Sequence, residues 1–184
     1  VPSALGYSEA SNIPFNLGII RNHYVGRTFI EPTQTIRQLG IKLKHNANKS
    51  IIKDKKIVLI DDSIVRGTTA IKIVEMMKNA GAAEVHMRIS SPPIRFPDFY
   101  GIDTPSINEL IASQNSIEDI KKLLKLDSLH FLSLEGLYKS MGHKKRNTDY
   151  PQYTDHCFTG DYPTNLVDRD DGALSNQLSL LKDK

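Results

Sequence analysis

The fold is decided by residues 58–70, which read VLIDDSIVRGTTA. This stretch begins with an apolar run, continues with the acidic pair Asp61 and Asp62, and ends with Gly67 and two threonines. Its apolar part, Ile57–Ile60, is short and rich in β-branched residues, which is typical of a strand buried on both faces of a wound sheet. The stretch therefore predicts a buried strand that ends in two carboxylates and leads through a loop into a helix.

Helices and strands alternate along most of the remaining chain. The predicted elements downstream are a helix from Thr69 with Thr68 or Thr69 as its cap and Gly81 at its end, a strand at Glu84–Ile89, helices at Ser106–Ala112 and Ser116–Leu124, a strand at Leu129–Leu132 and a helix at Leu134–Met141. Upstream, Phe15–Ile20 predicts a strand and Pro32–Leu43 an amphipathic helix. We therefore expect an α/β fold, a wound parallel sheet with helices on both faces. We expect a domain over residues 1–142 and an irregular C-terminal extension over residues 143–184 packed on it.

The position of the acidic pair predicts a ligand site. In a wound parallel sheet, ligands bind beyond the carboxyl ends of the strands, where Asp61 and Asp62 lie. The loop after them enters a helix, whose free N–H groups favour an anion, and Gly67 allows close approach while Thr68 and Thr69 supply hydroxyl donors. Two carboxylates would repel a bare phosphate, so their natural partners are hydroxyl groups or a divalent cation. A sugar phosphate meets both requirements.

Other interpretations of this stretch are weaker. An ordinary turn between strand and helix, with an aspartate cap, would explain a lone acidic pair but not the full pattern. A Walker A loop would end in glycine-lysine-serine or glycine-lysine-threonine, and a dinucleotide-binding turn would have a different glycine spacing.

Composition excludes several classes of function. No window approaches ~18 consecutive apolar residues and the first residues do not resemble a signal peptide, so we expect a cytoplasmic protein with no membrane partner. The net charge of +3 is concentrated at Lys53–Lys56 and His143–Arg146, without the aromatic side chains of a nucleic-acid platform. We therefore expect no nucleic-acid partner. The single cysteine, Cys157, rules out an internal disulfide.

Residues 58–70 resemble the phosphoribosylpyrophosphate (PRPP) motif of phosphoribosyltransferases. Their particular sequence is similar to the version of this motif in the amidophosphoribosyltransferase family. Three more segments carry the resemblance: RNHYVGRTFIEP at 21–32, PPIRFPDFYGID at 92–103 and CFTGDYPT at 157–164. The resemblance covers nearly all of residues 1–168. It implies a phosphoribosyltransferase fold and the transfer of glutamine-derived ammonia to C1 of PRPP, giving 5-phosphoribosylamine and pyrophosphate in the first committed step of purine synthesis.

The resemblance also implies roles for particular residues. The implied substrate-binding residues are Asp61, Asp62, Ser63, Arg66, Gly67, Thr68 and Thr69, with Asp61 and Asp62 also holding Mg²⁺. The implied catalytic residues lie in the family's flexible loop: Arg21, Tyr24, Arg27 and Thr28. Arg21 stands where the family often has lysine, and His23 where it often has arginine. A loop that closes over the substrate would exclude water, with Gly26 as a hinge; an ordinary hairpin-like connection is the alternative.

Three departures from the family pattern restrict these expectations. The family's glutaminase half uses an N-terminal cysteine, and its pyrophosphate-binding loop precedes the segment that is similar to residues 1–11. We therefore expect this chain to be the carboxyl-terminal part of the enzyme, completed by a glutaminase domain upstream or on a partner chain, in a homo-oligomer. Some members bind an iron–sulfur cluster through cysteines at the positions of Asp98, Thr154 and Cys157. One thiolate cannot hold such a cluster, so we expect none, and His156 is interpreted as a solvated or capping residue.

Two other functions remain open. A phosphoribosyltransferase-like domain could bind PRPP as a regulatory module without catalysis, although a sensor would not need a loop that excludes water. The chain could also be an inactive fragment, although the acidic pair, the phosphate loop and Arg27 are all intact.

Overall fold

The computed structural model describes residues 1–21, 45–102, 104 and 106–166, and only the backbone of Arg21. Its elements are α1 (Pro2–Ser11), β1 (Ile19–Arg21), β2 (His45–Ala47), α2 (Lys49–Ile52), β3 (Lys56–Asp61), α3 (Thr68–Asn79), β4 (Glu84–Ile89), a 3₁₀ turn (Ile107–Glu109), α4 (Ile111–Gln114), α5 (Ile117–Leu123), β5 (Ser128–Phe131), α6 (Leu134–Ser140) and α7 (His156–Thr159). In the described ranges, no helix is both long and apolar enough to cross a membrane.

In the residues that the structure describes, the central sheet has three parallel strands in the order β3-β4-β5. Val85, Met87 and Ile89 alternate along β4 and are almost fully buried, as expected for a strand with one face in the core. Val74 and Met77 of α3 belong to the same core and are equally buried. The predicted α/β class and parallel sheet are confirmed.

Strand β3 differs from its prediction in burial. Ile57–Ile60 is half-buried, not buried on both faces. Within the part of the chain that the structure describes, β3 pairs only with β4 and so forms an edge of the sheet. An edge strand has a covering neighbour on one side only, which explains the partial exposure.

Helix α3 has the predicted position but another cap. Gly67, with φ of +78°, is its N-cap, so Thr68 and Thr69 are the first two helical residues and neither is the cap. The helix ends at Asn79, and Gly81 follows with φ of +95°. The N–H of Ala82 donates to the carbonyl of Met77 at 3.2 Å, which is the hydrogen bond of a Schellman motif with glycine after the helix.

The segment after β4 is broken where one helix was expected. Residues 106–112 form a 3₁₀ turn and the start of α4, separated at Leu110, so the prediction of a continuous helix was wrong. The N–H of Ile111 donates to the carbonyl of Val65 at 2.9 Å, a contact that no local pattern reveals. The prediction of α5, β5 and α6 is confirmed to within one or two residues at each end.

The amino-terminal region contains one element that the sequence did not predict and one that is shorter than predicted. Helix α1 buries none of its residues, so its sequence has no apolar stripe from which a helix could be predicted. The expected strand at Phe15–Ile20 is reduced to β1, which pairs antiparallel with β2. The predicted helix at Pro32–Leu43 lies outside the described residues.

The segment from 143 to 166 contains the short helix α7 and is hydrogen-bonded to α6. Its buried centre is Asp155, whose carboxylate accepts hydrogen bonds from the Tyr138 hydroxyl at 2.8 Å and from Arg146 Nε at 2.6 Å. Burial acts to raise the pKa of Asp155, but the hydrogen bonds from Arg146 and Tyr138 outweigh it and hold this pKa below its usual range. A buried, paired carboxylate therefore ties the segment to α6.

His156 is a buried residue, which corrects the expectation of a solvated or capping one. Only 3% of it is exposed, and its Nε2 lies 2.5 Å from Oδ1 of Asp98. The partner is 58 positions away in the sequence, so the neighbours of His156 in the chain gave no sign of it.

Candidate functional site

The acidic pair lies where strand β3 ends. Asp61 is its last residue and is half-buried, whereas Asp62 is exposed. The N–H and hydroxyl groups of Ser90, which follows β4, both donate to the main-chain carbonyl of Asp61, at 3.0 and 3.1 Å. These bonds join the carboxyl ends of two neighbouring strands and fix the backbone from which the carboxylates project.

The electrostatics of the pair favour a cation. Burial raises the pKa of Asp61 to about 6, and the negative charge of Asp62 adds to this effect, although the N–H of Asp62 opposes it by donating to Asp61 Oδ1 at 3.0 Å. Burial and a neighbouring negative charge disfavour the ionised form of a carboxyl group. A divalent ion or hydroxyl donors would stabilise that form. The donor set of Asp61 and Asp62 therefore fits Mg²⁺, which prefers a few carboxylate oxygens and retains several waters.

The loop from Ser63 to Gly67 connects the acidic pair to α3. Ile64 is 3% exposed and anchors the loop in the core. No side chain of the described residues caps α3, so its first N–H groups are open to an anion, with the exposed Thr68 and Thr69 beside them. The N–H of Ser63 is engaged with Asp62 Oδ1 at 2.8 Å. The arrangement places open helix N–H groups next to the acidic pair.

Gly67 is required at its position for two reasons. Its φ of +78° is in the left-handed region that side chains disfavour. A Cβ at this position would also lie 2.7 Å from Cδ1 of Ile111, so the end of that side chain would have to shift. The loop is therefore held in shape from outside by the segment that contains Ile111.

Arg66 forms an ion pair that the sequence did not predict. Its Nε donates to Oε2 of Glu109 at 2.7 Å, and this hydrogen bond lowers the pKa of Glu109. The Ser106 hydroxyl donates to the other carboxylate oxygen, Oε1, at 3.3 Å. The two partners are 43 positions apart, so neither periodicity nor local spacing could have identified Glu109.

The structure brings together one of the two groups of predicted site residues. Residues 61–63 and 66–69 lie together where β3 ends and α3 begins. Arg21 ends β1, and its side chain is not described. Tyr24, Arg27 and Thr28 lie outside the described residues, so their roles stay predictions.

A second cluster contains Asp98, His156 and Cys157, whose ligand atoms all lie within 4.8 Å of one another. Asp98 Oδ2 accepts from the N–H groups of Tyr100 at 3.1 Å and Ile102 at 2.7 Å, while its other oxygen pairs with His156. Burial and the charge of Asp98 raise the pKa of the Cys157 thiol. A single thiol that resists ionisation does not fit an iron–sulfur cluster, which requires several thiolates.

A parallel sheet with an acidic pair and an open helix N-terminus at its carboxyl edge is typical of the phosphoribosyltransferase fold. A model of the phosphoribosyl transferase domain family matches residues 14–90. Amidophosphoribosyltransferase from Rhizobium etli is 59% identical over 181 residues, which are 98% of this chain and 36% of that protein. Its counterpart from Bacillus subtilis is 51% identical over 166 residues, which are 90% of this chain and 35% of that protein.

The solved structures agree with these relatives. Glutamine PRPP amidotransferase from Bacillus subtilis, complexed with ADP and GMP, superimposes with a TM-score of 0.77 at 50% identity, over 90% of this chain and 36% of that chain. The chain is therefore similar to one part of the amidophosphoribosyltransferases, and it spans about a third of the length of these relatives. The resemblance noted in the sequence is confirmed.

Proposed function

We propose that this chain provides the PRPP site of an amidophosphoribosyltransferase and catalyses the transfer of ammonia to C1 of PRPP. The observation that carries the proposal is that the acidic pair, in which burial disfavours the charge of Asp61, is followed directly by the open N-terminus of α3. One ligand that matches both is a phosphorylated ribose with free hydroxyls and a magnesium-bound pyrophosphate. The similarity to amidophosphoribosyltransferases supports the same ligand.

Each part of the site has its own task in this proposal. Asp61 and Asp62 bind the ribose hydroxyls and hold Mg²⁺. The 5′-phosphate is bound by the loop and the first turn of α3: Ser63, Arg66, Gly67, Thr68 and Thr69. Backbone N–H groups at a helix start bind phosphate strongly because they are aligned with the helix dipole.

The reaction forms a bond between C1 and the ammonia nitrogen, breaks the bond between C1 and the pyrophosphate oxygen, and releases one proton from the nitrogen. Positive charge develops on the sugar ring while pyrophosphate leaves with negative charge. When bound, Mg²⁺ supplies positive charge to the departing oxygens. Arg21 and Arg27 would stabilise the same oxygens, and their loop, with Tyr24 and Thr28, would exclude the water that competes with ammonia.

The nitrogen requires a second component. In our proposal a glutaminase domain, upstream or on a partner chain, releases ammonia from glutamine and delivers it to C1. The relatives are about three times as long as this chain, which leaves room for such a domain. A homo-oligomer and a cytoplasmic location stay predictions, as does the division at residue 142.

The proposal is tested by calorimetric titration of the purified protein with PRPP and Mg²⁺, followed by an assay of ammonia-dependent pyrophosphate release. We expect saturable binding that is lost in the Asp61→Asn/Asp62→Asn double variant and kept in Asp149→Asn, a control that removes an exposed carboxylate outside the site. Wild-type protein that is folded but does not bind PRPP would refute the site. Binding without turnover would favour a regulatory module instead.

A further inference from the structure

We propose that Glu109 is a positioning residue for the sugar phosphate, acting through Arg66. Its carboxylate holds the Arg66 guanidinium beside the loop that connects β3 to α3, so that the guanidinium is already oriented when the 5′-phosphate arrives. This inference rests on the proposed function, because it takes that loop as the phosphate site. Neither the sequence pattern nor the family resemblance assigned a role to Glu109.

The geometry of the ion pair leaves most of the guanidinium available. The contact with Glu109 uses Nε of Arg66. Among the described residues, neither terminal Nη group of Arg66 has a hydrogen-bond partner. Arginine can bind one anion through Nε and another through its Nη groups, because its five donors form a planar fork. Glu109 can therefore orient Arg66 without occupying the donors that a phosphate would use.

The segment that carries Glu109 is fixed to the loop on both sides of Arg66. The N–H of Ile111 donates to the carbonyl of Val65 at 2.9 Å, and the Ile111 side chain packs against Gly67. Leu110, next to Glu109, is fully buried. The residues before and after Arg66 thus contact the same segment, so the carboxylate has a defined place from which to hold the guanidinium.

Preorganisation gives this contact its functional value. A free arginine side chain samples many rotamers, and ordering it during binding weakens affinity. Glu109 restricts that freedom before the ligand arrives. The side chains of Arg66 and Glu109 are about half exposed, at 47% and 52%, so solvent screens the repulsion between the carboxylate and a phosphate as well as the attraction within the pair. We expect an effect of the size measured for exposed ion pairs, about three- to fivefold in affinity.

The test is a double-mutant cycle with ribose 5-phosphate as a magnesium-independent probe and with PRPP plus Mg²⁺. We expect Glu109→Ala to weaken the binding of both ligands by about three- to fivefold, with KM for PRPP raised and kcat nearly unchanged. Glu109→Gln keeps an acceptor for Arg66 Nε and should stay within about twofold of the wild type. In the Arg66→Ala background, Glu109→Ala should have no further effect, since its role runs through Arg66.

The control is Glu135→Ala, which removes another exposed carboxylate from its pair with Lys139 on α6 and should leave binding unchanged. The inference is overturned if Glu109→Ala binds ribose 5-phosphate as well as or better than the wild type. It is also overturned if Glu109→Ala reduces affinity by the same factor in the Arg66→Ala background as in the wild type, which would show a merely structural role. Should Glu109→Ala fail to fold, a Glu109→Gln variant weakened more than twofold would also overturn it. Failure of the proposed function itself is distinguished because the wild-type protein would then not bind either ligand.

Discussion

Replacement of Asp61 by asparagine should stabilise the fold while it destroys the proposed metal site. The pKa of Asp61 is raised from 3.8 to about 6 by burial and by the charge of Asp62. The folded protein therefore holds this proton more tightly than the unfolded chain, and its stability falls as the pH rises from about 4 to above 6. An asparagine side chain at this position would carry no charge at any pH, and its amide oxygen could still accept the hydrogen bond from the N–H of Asp62.

The magnitude follows from the pKa difference. At 1.36 kcal/mol per pKa unit, a difference between 3.8 and about 6 corresponds to about 3 kcal/mol of unfolding free energy above pH 6. Asp61 keeps some contact with solvent, so we expect Asp61→Asn to gain about 1 to 3 kcal/mol at pH 8 and almost nothing at pH 4. The same variant should bind Mg²⁺ and PRPP much more weakly at pH 8.

Urea denaturation of the wild type and the variant between pH 4 and pH 8, without Mg²⁺, measures this difference. Asp149→Asn, which changes an exposed aspartate in the segment from 143 to 166, is the control and should show no such pH-dependent gain. A variant that is less stable than the wild type at pH 8, or a gain that is the same at pH 4 and pH 8, would refute the electrostatic reasoning.

Three further outcomes are expected. Gly67→Ala should lower the unfolding free energy by about 1 to 2 kcal/mol, the cost of a left-handed residue that carries a side chain. Urea denaturation should show a smaller loss for Gly67→Ala in an Ile111→Ala background, where Cδ1 of Ile111 no longer approaches the new Cβ, and an equal loss in both backgrounds would show that this contact is irrelevant. Asp155→Ala should cost about 3 kcal/mol in urea denaturation, because it removes the acceptor of the buried Tyr138 hydroxyl and leaves the partly buried Arg146 guanidinium with Asp161 alone, and a loss below about 1 kcal/mol would contradict this. An iron-selective chelator should not change the thermal midpoint of the purified protein, and an iron content of several atoms per chain would overturn our interpretation of Cys157.

The sequence predicted the elements that depend on local periodicity. The apolar run of β3, the helical spacing in α3 and the alternation in β4 are each complete within about a dozen residues, so the chain itself displays them. The acidic pair could be placed at the carboxyl edge of the sheet for the same reason, since the order of strand, loop and helix determines that position.

Features that depend on distant partners could not be predicted. The 3₁₀ turn ends before Ile111 because its N–H bonds to the carbonyl of Val65, and His156 is buried because its partner is Asp98. Glu109 looked like any surface carboxylate until its contact with Arg66 was known. In each case a hydrogen bond across more than 40 positions decided the outcome, and a single sequence does not show such pairs.

The packing of the carboxyl-terminal segment has a consequence for genetic variation. The Tyr162 hydroxyl donates to the carbonyl of Pro97 at 2.8 Å, and Asp155 accepts from Tyr138 and Arg146. A premature stop codon anywhere between positions 147 and 154 would remove only about the last fifth of the chain. It would nevertheless leave the buried Tyr138 hydroxyl and the Arg146 guanidinium without their acceptor, Asp155. Such a nonsense allele should therefore behave as a folding defect that exposes the domain to proteolysis, although every residue of the proposed substrate site would still be encoded.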